Sequence, residues 1–168
     1  GEGDDHLSFG YGDDADGGAG SDWLSLNLGS ASAGVTFDIS LATPGQQLVI
    51  GGGTLQNFEK VYNLIGSSFG DTITIAGQVT YIFGEGGDDT ITVTDDGFSI
   101  EGGAGNDRIT VFGGGYLDGG EGDDIFIVSG VQAIINGGNG SNTVDYRNAS
   151  AGMTVDLSKI VQAHTEAW

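Results

Sequence analysis

The chain has 168 residues, with 24 Asp or Glu against 4 Lys or Arg, for a net charge of −20. That balance makes nucleic acid and anionic membrane poor partners, because both are met by basic patches. With no cysteine there are no disulfides or thiolate metal sites, and no apolar run reaches the 18 residues of a membrane-spanning helix.

Glycine supplies 34 of the 168 residues. It loses more backbone freedom on ordering than any other residue. A chain that is both glycine-rich and acidic reads as disordered unless its residues recur at fixed spacing. Here they do.

The first residues, GEGDDHLSFG, are not a signal peptide. Three acidic turns come in quick succession: GEGDD ending at Asp5, GYGDD at Asp14 and GGAGSD at Asp22. Their steps are 9 and 8 residues, and a nine-residue step is half of an 18-residue coil. Asp5 and Asp22 therefore fall on one side of a roll and Asp14 on the other. A longer insertion separates Asp22 from Asp71. Within it LSLNL, VTFDI and QLVI alternate as strands. Pro44 marks a turn in ATPGQQ. LQNFEKVYNLIG is open between a helical turn and a strand.

From Gly66 the repeat is regular. GSSFGD ends at Asp71, GEGGDD at Asp89, GGAGND at Asp107, GGEGDD at Asp124 and GGNGSN at Asn142, in steps of 18, 18, 17 and 18 residues. Apolar residues keep the same step. One ladder runs Ile73, Ile91, Ile109, Phe126, Val144. A second runs Ile75, Val93, Val111, Val128, Tyr146, and a third Ile82, Ile100, Leu117, Ile135. Period-two alternation between glycine turns means short strands, and strands recurring in register mean a solenoid whose inward ladders form the core. The expected fold is all-β: a right-handed parallel β-roll or β-helix solenoid with about 18 residues per coil and a longer-coil insertion. One solenoid covers 1–168, divided into first acidic turns (1–28), insertion (29–65), acidic-ladder coils (66–146) and the start of a further module (147–168). ASAGVTFDIS at 31–40 returns as ASAGMTVDLS at 149–158, an offset of 118. The chain is thus expected to be a piece of a longer array.

The turn G-G-x-G-x-D followed by x-apolar-x resembles the calcium-binding nonapeptide of the RTX (repeats-in-toxin, hemolysin-type) family. It is specific in GGAGNDRIT and GGEGDDIFI and looser in GSSFGDTIT and GEGGDDTIT. GVTxDLS and E…NLIGSSFxDTI in the insertion resemble the linking element of long RTX arrays. The chemistry is direct: calcium takes six to eight oxygens, glycine turns aim carbonyls inward, and each Asp adds a charged ligand.

The resemblance implies side-chain ligation by Asp5, Asp22, Asp71, Asp89, Asp107, Asp124 and Asn142, each interior Asp bridging two ions. It implies carbonyl ligation from Gly18, Gly20, Gly66, Ser68, Gly84, Glu85, Gly86, Gly87, Gly102, Gly103, Ala104, Gly105, Gly119, Gly120, Glu121, Gly122, Gly138 and Gly140. Four sites along Asp71–Asn142 and a fifth at Asp5–Asp22 give about five calcium ions. The uncharged Asn142 makes the last site weak. Asp14 lacks a stacked partner, and Glu59 is open between a ligand and a strand-edge charge.

No nucleophile elbow, HExxH, GxGxxG or phosphate loop is present, so no enzyme is expected. His6 and His164 read as surface residues, and Asp95, Asp96 and Asp118 as solvated. The outward Thr rows are interrupted by Arg108, Ile125, Ile127 and Asp145, so they read as β-formers on a wet face. The expected role is a calcium-dependent structural module of a large secreted bacterial adhesin, matrix or surface-layer protein. Family resemblance adds Gram-negative type I secretion. Its partners would be neighbouring modules and surface or matrix polysaccharide. The alternatives are a C-terminal secretion and folding domain of a toxin or enzyme, or a carbohydrate-binding module. The last would need an aromatic-lined groove, whereas the aromatics read as scattered or inward.

Overall fold

The computed structural model describes residues 1–39, 47–130 and 133–149. The Pro44 turn, the repeated ASAGMTVDLS from residue 150 onward, and His164 lie outside them. The described residues form sixteen strands, numbered in chain order, and no helix.

Seven strands make one parallel sheet: β1 (His6–Gly10), β3 (Trp23–Asn27), β7 (Lys60–Ile65), β9 (Val79–Phe83), β11 (Phe98–Ala104), β13 (Gly115–Glu121) and β15 (Ile134–Asn136). Six make a second: β4 (Thr36–Asp38), β8 (Thr72–Ile75), β10 (Thr90–Val93), β12 (Arg108–Val111), β14 (Ile125–Val128) and β16 (Thr143–Asp145). From β7 onward the chain alternates between the two sheets, so each pair of strands is one coil of a solenoid.

Register follows the apolar ladders. Ile73, Ile91, Ile109, Phe126 and Val144 are direct neighbours across five strands. Ile75, Val93, Val111 and Val128 stack likewise, as do Ile82, Ile100, Leu117 and Ile135. Period-two alternation turns each of these inward. Ile91, Ile109, Val111, Ile100, Leu117 and Phe126 are all 0% exposed. Phe37 and Leu64 extend the ladders into the insertion, where both are fully buried.

The insertion forms one long coil. After β4 it makes the only antiparallel pair among the described residues, β5 (Gln47–Ile50) with β6 (Gly53–Gln56). β6 also lies parallel to β2 (Ala15–Asp16), closing a three-stranded sheet. The ambiguous LQNFEKVYNLIG is strand, turn, strand: its start ends β6 and KVYNLI is β7. A bulge opposite Leu24 and Ser25 leaves Tyr62 unpaired in the β3–β7 register and 41% exposed.

Aromatic side chains gather around Tyr62. Tyr62 stands edge-on to His6, Trp23 and Tyr81, with ring centroids 4.8, 6.3 and 5.8 Å away. Tyr81 and Phe83 have near-parallel rings, and Lys60 Nζ lies 5.0 Å over the Trp23 ring. Tyr116 continues the row across Ser99. The expectation that the aromatics are scattered or inward is therefore corrected: an aromatic row crosses the outer face of the seven-stranded sheet.

Candidate metal centre

Each acidic turn of the regular coils carries the chain from the first sheet into the second, so the five turns stack on one rim. The last residue of each turn bonds to its neighbour. Val35 N donates to Asp71 Oδ1 at 2.6 Å and Asp71 N to Asp89 Oδ1 at 2.6 Å. Asp89 N donates to Asp107 Oδ1, Asp107 N to Asp124 Oδ1, and Asp124 N to Asn142 Oδ1, at 2.8–2.9 Å. All five acceptor side chains are buried.

One oxygen of each carboxylate is thus spent. The other is taken up in Asp71, by the Ser67 amide, but not in the next three. Oδ2 of Asp89, Asp107 and Asp124 is buried and has no hydrogen-bond partner. Three buried, half-satisfied carboxylates in successive coils are costly, since an unpaired buried charge loses its hydration without compensation. Burial pushes the Asp89 carboxyl up to about 7, opposed by its bond from the Asp71 amide and reinforced by the charges of Asp107, Asp71 and Asp88. Burial likewise raises Asp107 to about 6, opposed by the Asp89 amide and reinforced by Asp124 and Asp88. Asp124 is raised, again mainly by burial.

Further oxygens face the same spaces. A side chain at Gly102 would overlap both Asp107 Oδ2 and the Gly119 carbonyl; at Gly84, Asp89 Oδ2 and the Gly102 carbonyl; at Gly119, Asp124 Oδ2 and the Gly137 carbonyl. The first glycine of these turns therefore lies where a carboxylate and a carbonyl oxygen meet, whereas Gly137 of the last turn faces the Asn142 side-chain amide. The turn backbone sets this up. Gly103 and Gly105 have φ of 109° and 138°, and the corresponding residues of the 84–89, 119–124 and 137–142 turns are also left-handed. Glu85 is the exception in residue type, holding φ 75° as a non-glycine. The carbonyls of Glu85, Ala104, Gly120 and Glu121 accept amides of adjacent coils. Each keeps a second lone pair.

Asp5 and Asp22 sit on the other rim, at turns that lead into strands of the first sheet. Asp5 N donates to Asp22 Oδ1 at 2.8 Å, and Asp22 is fully buried with Oδ2 unpartnered. Glu59 continues this rim: its Oε2 accepts the Asp22 amide at 2.8 Å. The ambiguity over Glu59 is resolved as regards position, since it occupies the ladder place after Asp22. Gly18 and Gly20 hold the left-handed positions of the Asp22 turn. Asp14 is exposed and accepts the Thr54 amide, so it stacks on a threonine instead of another acid.

A second row was not anticipated. Asn106 N donates to Asp88 Oδ1, Asp123 N to Asn106 Oδ1, and Ser141 N to Asp123 Oδ1, at 2.7–2.8 Å. These side chains reach toward the following coil, whereas Asp89, Asp107 and Asp124 reach toward the preceding one. The doubled acids of GEGGDD and GGEGDD were the available signal. Asp96 and Asp118, expected to be merely solvated, also bridge coils: Asp96 Oδ1 accepts Gly114 N, and Asp118 Oδ2 accepts Asn136 Nδ2.

Among the described residues no group of three or more His, Asp or Glu side chains converges at one point. An ion held here would take most of its ligands from carbonyls, with carboxylates from stacked turns. The donor set is entirely oxygen, the shell of a hard cation such as calcium. The orphaned Oδ2 atoms and the open glycine cradles fit that group. No protein-family model, curated protein or solved structure matches this chain.

Proposed function

We propose that this solenoid is a non-catalytic, calcium-binding structural module that completes its fold when calcium enters the stacked glycine turns. The observation that carries the reading is the set of buried, unpartnered Oδ2 atoms on Asp22, Asp89, Asp107 and Asp124. Neighbouring parallel strands lie about 4.8 Å apart. Carboxylates at that spacing repel by about 1 kcal/mol per pair even in bulk water, and by more in a dry turn. A divalent ion reverses the sign of that term and occupies the carbonyl lone pairs, so binding and folding become one event. Magnesium fits less well, because it demands tight octahedral geometry and keeps its waters.

The same reading sets the module outside the cell, in an array of a large secreted protein, with adjoining solenoid coils and surface polysaccharide as its partners. Extracellular modules bind calcium with Kd of about 10⁻⁴–10⁻³ M. A chain that stays unfolded below that range can pass an export channel and fold beyond it. Circular dichroism in EDTA, then in rising calcium, tests this. The expected result is loss of β signal in chelator and a cooperative return at roughly 0.1–1 mM calcium. An unchanged β signal in chelator, or saturation at nanomolar calcium, rejects it.

One observation favours a second reading, a carbohydrate-binding module: the outer aromatic row of Trp23, Tyr62, Tyr81, Phe83 and Tyr116. Three of these rings, Tyr62, Tyr81 and Tyr116, are exposed, and a tyrosine offers an apolar face and a polar handle together. A glycan-array screen, repeated with Tyr81→Ala, separates it from a purely structural role.

A further inference from the structure

The 66–71 turn differs from the other turns on its rim in three ways. Neither Ser67 nor Phe69 adopts the left-handed conformation found at the same places in the following turns. Ser67 is buried, and it satisfies the carboxylate that its counterparts leave open: its amide donates to Asp71 Oδ2 at 2.7 Å and its hydroxyl to Oδ1 at 2.8 Å. The facing atoms also change kind. In later coils the fourth turn residue meets a carbonyl, as Gly105 meets the Gly87 oxygen and Gly122 the Gly105 oxygen. At the first junction Gly87 meets the Gly70 amide nitrogen instead.

We propose that the 66–71 turn is a cation-free end cap, in which the two donors of Ser67 replace the ion, and that the row of calcium sites begins at Asp89. The proposal rests on the calcium reading above and refines it for this chain. A donor placed where a cation would sit neutralises the same lone pairs without carrying charge. It also excludes the cation, since an N–H aimed into the site repels it. A phenylalanine at position 69 opposes the left-handed backbone a binding turn uses, because bulky side chains rarely take φ above zero. At the far end Asn142 acts in part alike. Its Oδ1 serves the Asp124 amide, while Nδ2 lies 3.3 Å from the Asn139 carbonyl. Its turn nevertheless keeps the left-handed positions at Gly138 and Gly140, so only the side chain is changed there.

Native mass spectrometry of the full chain in calcium counts the ions. Four chains are compared: the parent, Asp71→Asn, Asp107→Asn, and the double variant Ser67→Gly/Phe69→Gly. The cap predicts the same count for Asp71→Asn as for the parent, a lower count for Asp107→Asn, and one additional ion for the double variant. Loss of an ion in Asp71→Asn overturns the cap while leaving the calcium reading intact. So does a folded double variant with no gain. A parent chain that takes up no calcium overturns both. Where the double variant does not fold, the Asp71→Asn and Asp107→Asn pair still decides.

Discussion

The backbone amide of Asp89 donates to Oδ1 of Asp107 at 2.9 Å, and the second oxygen of each carboxylate is buried without a partner. One side chain thus binds its neighbouring coil with one oxygen and offers the other to the interior of the turn. Both tasks need a carboxylate or amide at that place. Only the second needs charge.

Asp107 has these tasks between two acidic neighbours, whereas Asn142 ends the row and carries no charge. Asp107→Ala strips the Asp89 amide of its acceptor, at about 1–3 kcal/mol for a buried unsatisfied group. On the calcium proposal it also removes a charged ligand. Asn142→Ala loses a neutral bond near the end of the described coils. The calcium midpoint of Asp107→Ala is expected to rise several-fold above that of Asn142→Ala in a titration followed by circular dichroism. Equal midpoints would contradict the ladder.

Acidity should act oppositely on the metal-free and calcium-loaded chain. The folded-state carboxyls of Asp89 and Asp107 stand near 7 and 6, above the unfolded value of 3.8. Groups raised in this way favour the folded state only when protonated. Metal-free stability therefore grows as pH falls through 7 and 6 toward 4, and is lost as pH rises. On the calcium proposal the ion displaces those same protons, so its affinity is expected to fall over the same window. Calcium titrations at pH 8 and pH 5.5 are expected to show a higher midpoint at the acid end. In EDTA, acid should restore β signal. A midpoint independent of pH would show that protons and calcium do not share the carboxylates.

The three apolar ladders and the Asp89–Asp107–Asp124 row were legible because coil length holds at 17 or 18 residues there, so sequence spacing maps directly onto stacking. Three other features were not. Glu59 follows Asp22 on its rim only after the long coil containing the β5–β6 hairpin, and no fixed period spans an insertion. The aromatic row depends on which strands of the long coil lie side by side, and the bulge after Val61, which returns Leu64 to the core beside Leu26, breaks the period-two reading there. Ser67 lies in GSSFGDTIT, one of the looser copies of the turn. Its effect appears only once the backbone conformation at 67 and 69 is known, because what matters is where its amide points.

Core packing gives a test independent of metal. Ile109 is fully buried between Ile91 and Phe126 in the second sheet. Ile109→Val removes one methylene and should cost about 0.5–1.5 kcal/mol. Ile109→Asp places an unpaired charge in the same ladder and should leave the chain unfolded even in millimolar calcium. Thermal melts in calcium check both; a cooperative melt for Ile109→Asp would mean the ladder is not the core.

Two glycines with similar backbone demands separate strain from site geometry. Gly97 has φ 81° and Gly122 φ 124°, so alanine is strained at both. An added Cβ at Gly97 meets nothing within 4 Å, whereas at Gly122 it would overlap the Gly105 carbonyl of the preceding turn. Gly97→Ala should therefore lose only the left-handed penalty, about 1–2 kcal/mol. Gly122→Ala incurs that penalty and also forces apart the two turns whose carbonyls and carboxylates face one another. If those turns hold an ion, the displacement takes oxygen ligands from it, and the calcium midpoint rises beyond what the shared backbone strain explains. The comparison is made by calcium titration of both variants beside the parent. A large midpoint shift for Gly122→Ala with a small one for Gly97→Ala places the cation between the 102–107 and 119–124 turns. Similar shifts in both would mean that backbone strain alone sets the response, and that the space between those turns holds no ion.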